Sequence, residues 1–295
     1  SSPFQAPGTF MLVAHAEQEG VWTLEGGMHA LAQTLQRLAE AKGAAFRFGV
    51  GVERILTGGG RVTGVRLTDG GEIRARSIIL NADVSALGVG LLGNAVRSAA
   101  APTPPARRSL SALTWCLDTR TEGFPLTRHN VFFSKDYPAE FTAIFDQRRL
   151  PHDPTVYVCA QDRGDDGIAS GPDRLLCLVN APADGDRDAP SDAAITACGA
   201  RAFALMQRCG LTIDRSTPGA IVTGPREFNA LFPASGGALY GPASHGWMAS
   251  FEREGARTKI PGLYLAGGSV HPAPGVPMAA ISGRLAVAAL LADRR

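Results

Sequence analysis

Between residues 27 and 43 the apolar positions Met28, Leu31, Leu35 and Leu38 recur at three- and four-residue steps, which predicts a helix with one apolar face. Gly26-Gly27 stand before it, and Gly43 stands where a C-cap would close it. The period then shortens to two. Residues 45–50, 53–57, 61–68 and 72–81 read as strands, separated by the turn signals Gly58-Gly59-Gly60 and Asp69-Gly70-Gly71. Residues 99–105 (AAAPTPP) read as a linker. Beyond it, strand-like runs at 110–117, 130–133, 155–160 and 175–180 alternate with polar loops, which predicts an antiparallel sheet. A helix is expected over 191–209, with Ser191 as N-cap and Gly210 just past its end. Residues 224–250 are rich in Gly, Pro, Ser and aromatics. The chain closes with an apolar strand at 263–266, the pair Gly267-Gly268, a Pro-Gly loop and a helix over 277–292. The first and last segments are expected to build one lobe, and the middle another.

Composition narrows the class. A chain of 295 residues with 45% hydrophobic and 19% charged positions can bury a substantial core in two lobes. The formal charge is +2 and there is no basic run, which argues against a nucleic-acid partner. No apolar run reaches the length of a membrane span, since Ser282-Gly283-Arg284 interrupt the last helix. No signal peptide is visible in residues 1–20, so a cytoplasmic location is expected. Five cysteines without a CxxC pair read as reduced, small core residues, and the six histidines have no metal-ligand spacing, so no metal is expected.

The last strand–glycine–helix element is the strongest candidate for chemistry. A helix start presents free N–H groups and a partial positive charge, and glycines let a bulky ligand approach the backbone. The same pattern also describes an ordinary buried corner between a strand and a helix. Residues 88–93 (GVGLLG) match the spacing of a dinucleotide-binding turn, but no strand leads straight into Gly88, and a following helix would stop at Pro102. A loop or short surface helix is expected there. Asn81-Ala82-Asp83 follow an apolar strand; they either line a ligand crevice or cap a helix through Asp83. His271 has no evident carboxylate partner and reads as a structural hydrogen bonder. The aromatics between Phe228 and Phe251 either line an apolar cavity or form plain core. No GxSxG elbow is present, and no catalytic side chain is evident.

Three stretches together carry a resemblance. Residues 20–31 (GVWTLEGGMHAL) resemble the GG-M-x-x-L segment of the carotenoid desaturase family of phytoene-desaturase type. Residues 52–55 (VERI), 60–65 (GRVTGV) and 78–83 (IILNAD) resemble that family's hairpin run. Residues 263–272 (LYLAGGSVHP) and 275–278 (GVPM) resemble its C-terminal flavin signature, and look most similar to the hydroxyneurosporene (methoxyneurosporene) dehydrogenase branch. Ala273-Pro274 depart from the family's usual glycine and small residue. The likeness extends over nearly the whole chain and is weakest at 105–225.

The resemblance implies an α/β (α+β) fold. It comprises a partial FAD-binding lobe of the flavin amine oxidase type, over 1–104 and 251–295, and an antiparallel-sheet substrate lobe over 105–250. It implies FAD as cofactor and a carotenoid polyene as substrate, with 3,4-desaturation of a 1-hydroxylated, neurosporene-like carotenoid as the expected reaction. A phytoene desaturase, another amine-oxidase-like flavoenzyme and a non-catalytic apolar-ligand-binding lobe are the alternatives. Matched to the family, Val52, Asn81 and Ala82 would lie by the adenine. Gly267 and Gly268 would pass the ribityl-phosphate, and Gly275, Val276, Pro277 and Met278 would face the isoalloxazine. Phe228, Phe232, Tyr240 and Trp247 would line the substrate, with peripheral contact at the inner membrane. The family's N-terminal GxGxxG turn is not found in these residues. The stretch is therefore expected to correspond to the C-terminal portion of the family's layout, about 200 residues being absent in front, and to hold FAD weakly and be inactive by itself.

Overall fold

The opening residues form a short helix, α1 (Met11–Gln18), and the amphipathic pattern over 27–43 forms α2 (Gly27–Ala41). The computed structural model describes residues 1–164, 171–215, 219–249 and 251–294. No residue of α2 is buried, and Met28, Leu35 and Leu38 are exposed. Its apolar face therefore has no partner among the described residues.

Three antiparallel strands follow: β1 (Val52–Gly58), β2 (Arg61–Leu67) and β3 (Glu72–Arg74), in the order β1-β2-β3. Two expectations are corrected here. Residues 45–50 form no strand. Their alternation is present, but no described strand pairs with their N–H and C=O groups, and Phe46 and Phe48 stack on each other with centroids 5.8 Å apart. The run 72–81 is also two strands, not one. The chain leaves β2 after β3 and enters β4 (Ile78–Leu80), which belongs to another sheet.

Residues 85–88 form a single helical turn, α3 (Ser85–Gly88), and all four are buried. The GxGxxG-like stretch 88–93 is thus the end of this helical turn and the turn after it, as expected; Gly88 is buried, whereas Val89 and Leu91 are at the surface. Gly88 packs against Pro102, which leaves no room for a Cβ. The turn joins a core with Ile55, Val62, Val96, Leu263 and Val270.

The middle of the chain builds the larger sheet. Its strands are β5 (Ser111–Thr119), β7 (His129–Phe132), β8 (Val156–Ala160), β9 (Asp173–Ala181) and β11 (Ile221–Thr223), and β6 (Thr121–Gly123) pairs separately with β10 (Leu211–Ile213). The order is β11-β5-β9-β8-β7, and every pairing is antiparallel. The period-two pattern sends Leu113, Trp115, Val158, Leu175, Cys177 and Val179 to one face. The short helix α4 (Tyr137–Phe141) precedes β8. The helix α5 (Asp192–Arg208) covers the apolar face of the sheet with Cys198, Ala202, Leu205 and Met206. Ser191 caps it as expected, its hydroxyl accepting from Ala194 N at 3.2 Å. Burial pushes the Cys177 and Cys198 thiols up to about 12 and about 11, which keeps them protonated and unreactive.

The loop that follows α6 (Pro225–Leu231) leads back to β4. There β12 (Leu263–Leu265) pairs with β4 in parallel, Leu263 opposite Ile78 and Leu265 opposite Leu80, and α7 (Val276–Ala292) ends the chain. Among the described residues no helix is long and apolar enough to cross a membrane, and no group of three or more His, Cys, Asp or Glu is placed to hold a metal.

Candidate functional site

The parallel register of β4 and β12 brings their carboxyl ends side by side, which is where ligands enter open α/β sheets. Asn81 leaves β4 as Ala266 leaves β12, and Asn81 Nδ2 donates to the Ala266 carbonyl at 3.1 Å. Gly267 follows with φ 122°, and a Cβ there would lie 2.6 Å from Asn81 Nδ2. Only glycine lets the strand end close against Asn81. The Gly267 N–H donates to Ser282 Oγ at 3.1 Å, and Ser282 is fully buried on α7. Val270 N returns to the Gly267 carbonyl, and His271 N donates to the Glu254 carbonyl. That bond is made by the His271 backbone, not by its ring.

Within this turn the N–H groups of Gly268 and Ser269 have no partner among the described residues. Pro274 packs against Gly268 and brings the chain back to Gly275, whose φ of 109° and ψ of 149° only glycine adopts readily. Here α7 begins. It has no side-chain cap, Pro277 occupies its first turn, and the Val276 and Met278 N–H groups have no partner among the described residues. A Cβ at Gly275 would meet no atom within 4 Å, so the space over the helix start is open. Four unpaired N–H groups and a helix N-terminus on one short segment suit an anion or an electron-rich carbonyl. That donor set fits the ribityl-phosphate and ring carbonyl of a flavin.

The expected site residues fall into three groups. Asn81, Gly267 and Gly268 form one constellation, with Ala82 next in the chain, and Gly275, Val276, Pro277 and Met278 form the helix start beside them. Val52 opens β1 opposite Leu67 in the meander, outside that constellation. Phe228 is half-buried on α6, whereas Phe232, Tyr240 and Trp247 are exposed, Trp247 at 77%. These three are surface, not core. Two residues escaped the sequence reading. Ser282 stood out only as a polar break in an apolar helix, and Arg253 looked like one charge among several. Arg253 is buried and donates to the carbonyls of Gly268, Tyr240 and Pro242. A cavity of about 260 Å³ opens beside it, lined in part by Val84, Pro102, Arg107, Glu252 and Ser269.

Residues 9–114 match the family described as flavin containing amine oxidoreductase. The chain is 59% identical over 293 residues to a hydroxyneurosporene desaturase of Rubrivivax gelatinosus, covering 99% of this chain and 56% of that protein. It is 45% identical to the hydroxyneurosporene desaturase of Cereibacter sphaeroides, covering 99% of this chain and 58% of the relative. It is 31% identical to a 1-hydroxycarotenoid 3,4-desaturase of a Flavobacterium species, covering 97% of this chain and 58% of the relative. The chain thus spans less than two thirds of the length of these relatives. Among solved structures, an oxidoreductase from Methanosarcina mazei superposes with a TM-score of 0.52 at 14% identity, covering 90% of this chain and 54% of that one. A putative protoporphyrinogen oxidase from Exiguobacterium superposes with a TM-score of 0.53 at 18% identity, covering 91% and 51%. These two likenesses carry the fold.

Proposed function

The chain belongs to the carotenoid desaturase family, and on that premise we propose that it serves the FAD-dependent 3,4-desaturation of a 1-hydroxylated, neurosporene-like polyene. The observation that carries the reading is the glycine turn at the ends of β4 and β12, set against the uncapped start of α7. When bound, FAD supplies the oxidising power, taking up the two hydrogens that leave a C–C single bond flanking the polyene. The protein's part is position and field. Gly268, Ser269, Val276 and Met278 offer N–H groups to the cofactor's oxygens, and the start of α7 favours negative charge there. Asn81 and Ser282 hold the turn in place by tying down the C=O and the N–H of the Ala266–Gly267 peptide at the strand end. No side chain of this chain is assigned as acid or base. In this reading Val52 and Ala82 serve the adenine side, and 105–250 is the substrate lobe. Its sheet and the aromatic residues Phe228, Phe232, Tyr240 and Trp247 receive the polyene.

The test is product analysis with the flavin-loaded protein extended to the full length of its relatives. A 1-hydroxylated acyclic carotenoid should yield a product lighter by two hydrogens, with absorption moved to longer wavelength. The same carotenoid without the hydroxyl should react more slowly. An unchanged polyene in the presence of bound flavin contradicts the proposal.

The same reading places the protein against a membrane, because its substrate dissolves in lipid. Trp247 and Phe251 are 77% and 69% exposed, and Leu231 and Phe232 are exposed as well. With a formal charge of +2, docking should rest on apolar contact. Liposome flotation is expected to carry the protein upward with neutral and anionic lipids alike, and added salt should change this little. Trp247→Ser with Phe251→Ser should abolish flotation. Flotation that needs anionic lipid and disappears in salt would argue for an electrostatic surface instead.

A further inference from the structure

Arg253 is 7% exposed, and all of its hydrogen bonds run to backbone carbonyls: Nη1 to Gly268 at 3.0 Å, and Nη2 to Tyr240 at 3.1 Å and Pro242 at 2.9 Å. It forms no ion pair with any described residue. Asp83 is the acid whose charge bears on it from a distance; its carboxylate accepts from Ser85 N at 2.8 Å and makes no contact with the guanidinium. Glu252 is paired with Arg107 on the exposed side. Burial lowers the Arg253 pKa, yet a guanidinium starts so high that it stays charged. Carbonyls satisfy its N–H groups without cancelling its charge. A buried cation without a counter-charge is costly, and the other strongly buried arginine, Arg108, is held bidentately by Asp186.

The contact with Gly268 also has a directional consequence. The peptide joining Gly268 to Ser269 is planar and trans, so its C=O and N–H point opposite ways. With the carbonyl drawn to Arg253, the Ser269 N–H is aimed away from it, and it is one of the free donors of the turn. Ser282 and Asn81 fix the Ala266–Gly267 peptide through its N–H and its C=O, and Val270 N holds the Gly267 carbonyl between them and Arg253.

We infer that Arg253 is a positioning residue for the anionic cofactor, aiming the Ser269 N–H and supplying from behind the turn a positive charge that the bound anion completes. This rests on the flavin reading of the site. A mere clamp between the 240–242 loop and the turn needs donors but no charge, so the two roles separate experimentally. In the flavin-loaded protein, Arg253→Gln keeps an amide donor and removes the charge. It should weaken FAD binding about tenfold and lower the two-electron midpoint potential by about 30 mV, the equivalent of a tenfold bias against the reduced, more negative flavin. Arg253→Lys keeps the charge and loses the fork. Its potential should stay at the wild-type value, with FAD affinity only partly reduced.

A wild-type potential in Arg253→Gln would overturn the charge role and leave a clamp. A potential in Arg253→Lys as low as that of the glutamine variant would overturn it as well. If Arg253→Gln does not fold, the lysine variant still decides, because the inference requires its potential to be unchanged. Failure of the wild-type protein to take up FAD when extended to the full length of its relatives would refute the flavin reading itself, an outcome the variants do not produce.

Discussion

Replacing Gly275 by valine is expected to empty the cofactor site while leaving the five-stranded sheet folded. Gly275 stands at φ 109° and ψ 149°, just before the first turn of α7. A β-branched residue there carries backbone strain of about 1–3 kcal/mol. The strain is local, because the added Cβ would touch no protein atom within 4 Å. The valine would stand in the open space over the helix start, where the cofactor's ring is proposed to lie. Strain and obstruction together should weaken FAD binding by about a hundredfold or more, equivalent to about 2.7 kcal/mol. Gly275→Ala brings strain with less bulk and should fall between. Flavin content and FAD titration give the affinities, and circular dichroism with thermal melting gives the fold. A valine variant that purifies with normal flavin would place the ring elsewhere.

The second large effect concerns stability. Asp184, at 2% exposure, accepts from Arg148 Nε at 2.7 Å and Nη2 at 2.6 Å, and from Arg187 Nη2 at 2.7 Å. It ties the segment after β9 to Arg148, itself a non-glycine residue at φ 53°. Asp184→Ala leaves those guanidinium groups without their acceptor. Arg148 can partly reach water, so the loss should sit near the low end for a broken buried pair, about 3 kcal/mol, or about 6–10 °C in Tm. Arg174→Ala breaks the Arg174–Asp162 pair, whose arginine is 64% exposed, and should cost less than about 1 kcal/mol.

The effect has a pH signature. Burial acts to raise the Asp184 carboxyl, but the hydrogen bonds and charges of Arg148 and Arg187 outweigh it and hold the group below its ordinary value. A depressed folded pKa gives stability that is complete above the unfolded value, about 4, and is lost as the pH falls through the folded one. The gap between wild type and Asp184→Ala should therefore be full at pH 6 and shrink below about pH 4. Equal melting of the two proteins at neutral pH would contradict this account of the loop.

How far the sequence carried depended on whether a signal was local. The helix over 192–208 was legible because Ser191 caps it and Gly210 follows it, and the large sheet because alternation and loops punctuate each strand. Pairing was not legible. Residues 45–50 alternate like a strand, yet a strand is defined by its neighbour, and none of the described strands is one. The break at 75–77 that separates β3 from β4 has no glycine or proline to mark it. The candidate site shows the same division. The glycines and Pro277 announce a turn and a helix start through their own backbone constraints. The contacts that shape the turn come from far along the chain: Asn81 across 185 positions, Ser282 from within an apolar helix, and Arg253 from a run of ordinary surface charges. Burial, not residue type, distinguishes that arginine from Arg257, which pairs with Asp293 at the surface.

The central claim is that the turn after β12 and the start of α7 hold the flavin through free backbone N–H groups. Hydrogen–deuterium exchange, resolved to single amides and compared between flavin-loaded and flavin-free protein, tests it most directly. Exchange should slow on loading at Gly268, Ser269, Val276 and Met278, whose N–H groups have no partner among the described residues. Gly267, already bonded to Ser282, should change little. Unchanged exchange at all four amides in protein that carries flavin would contradict the account.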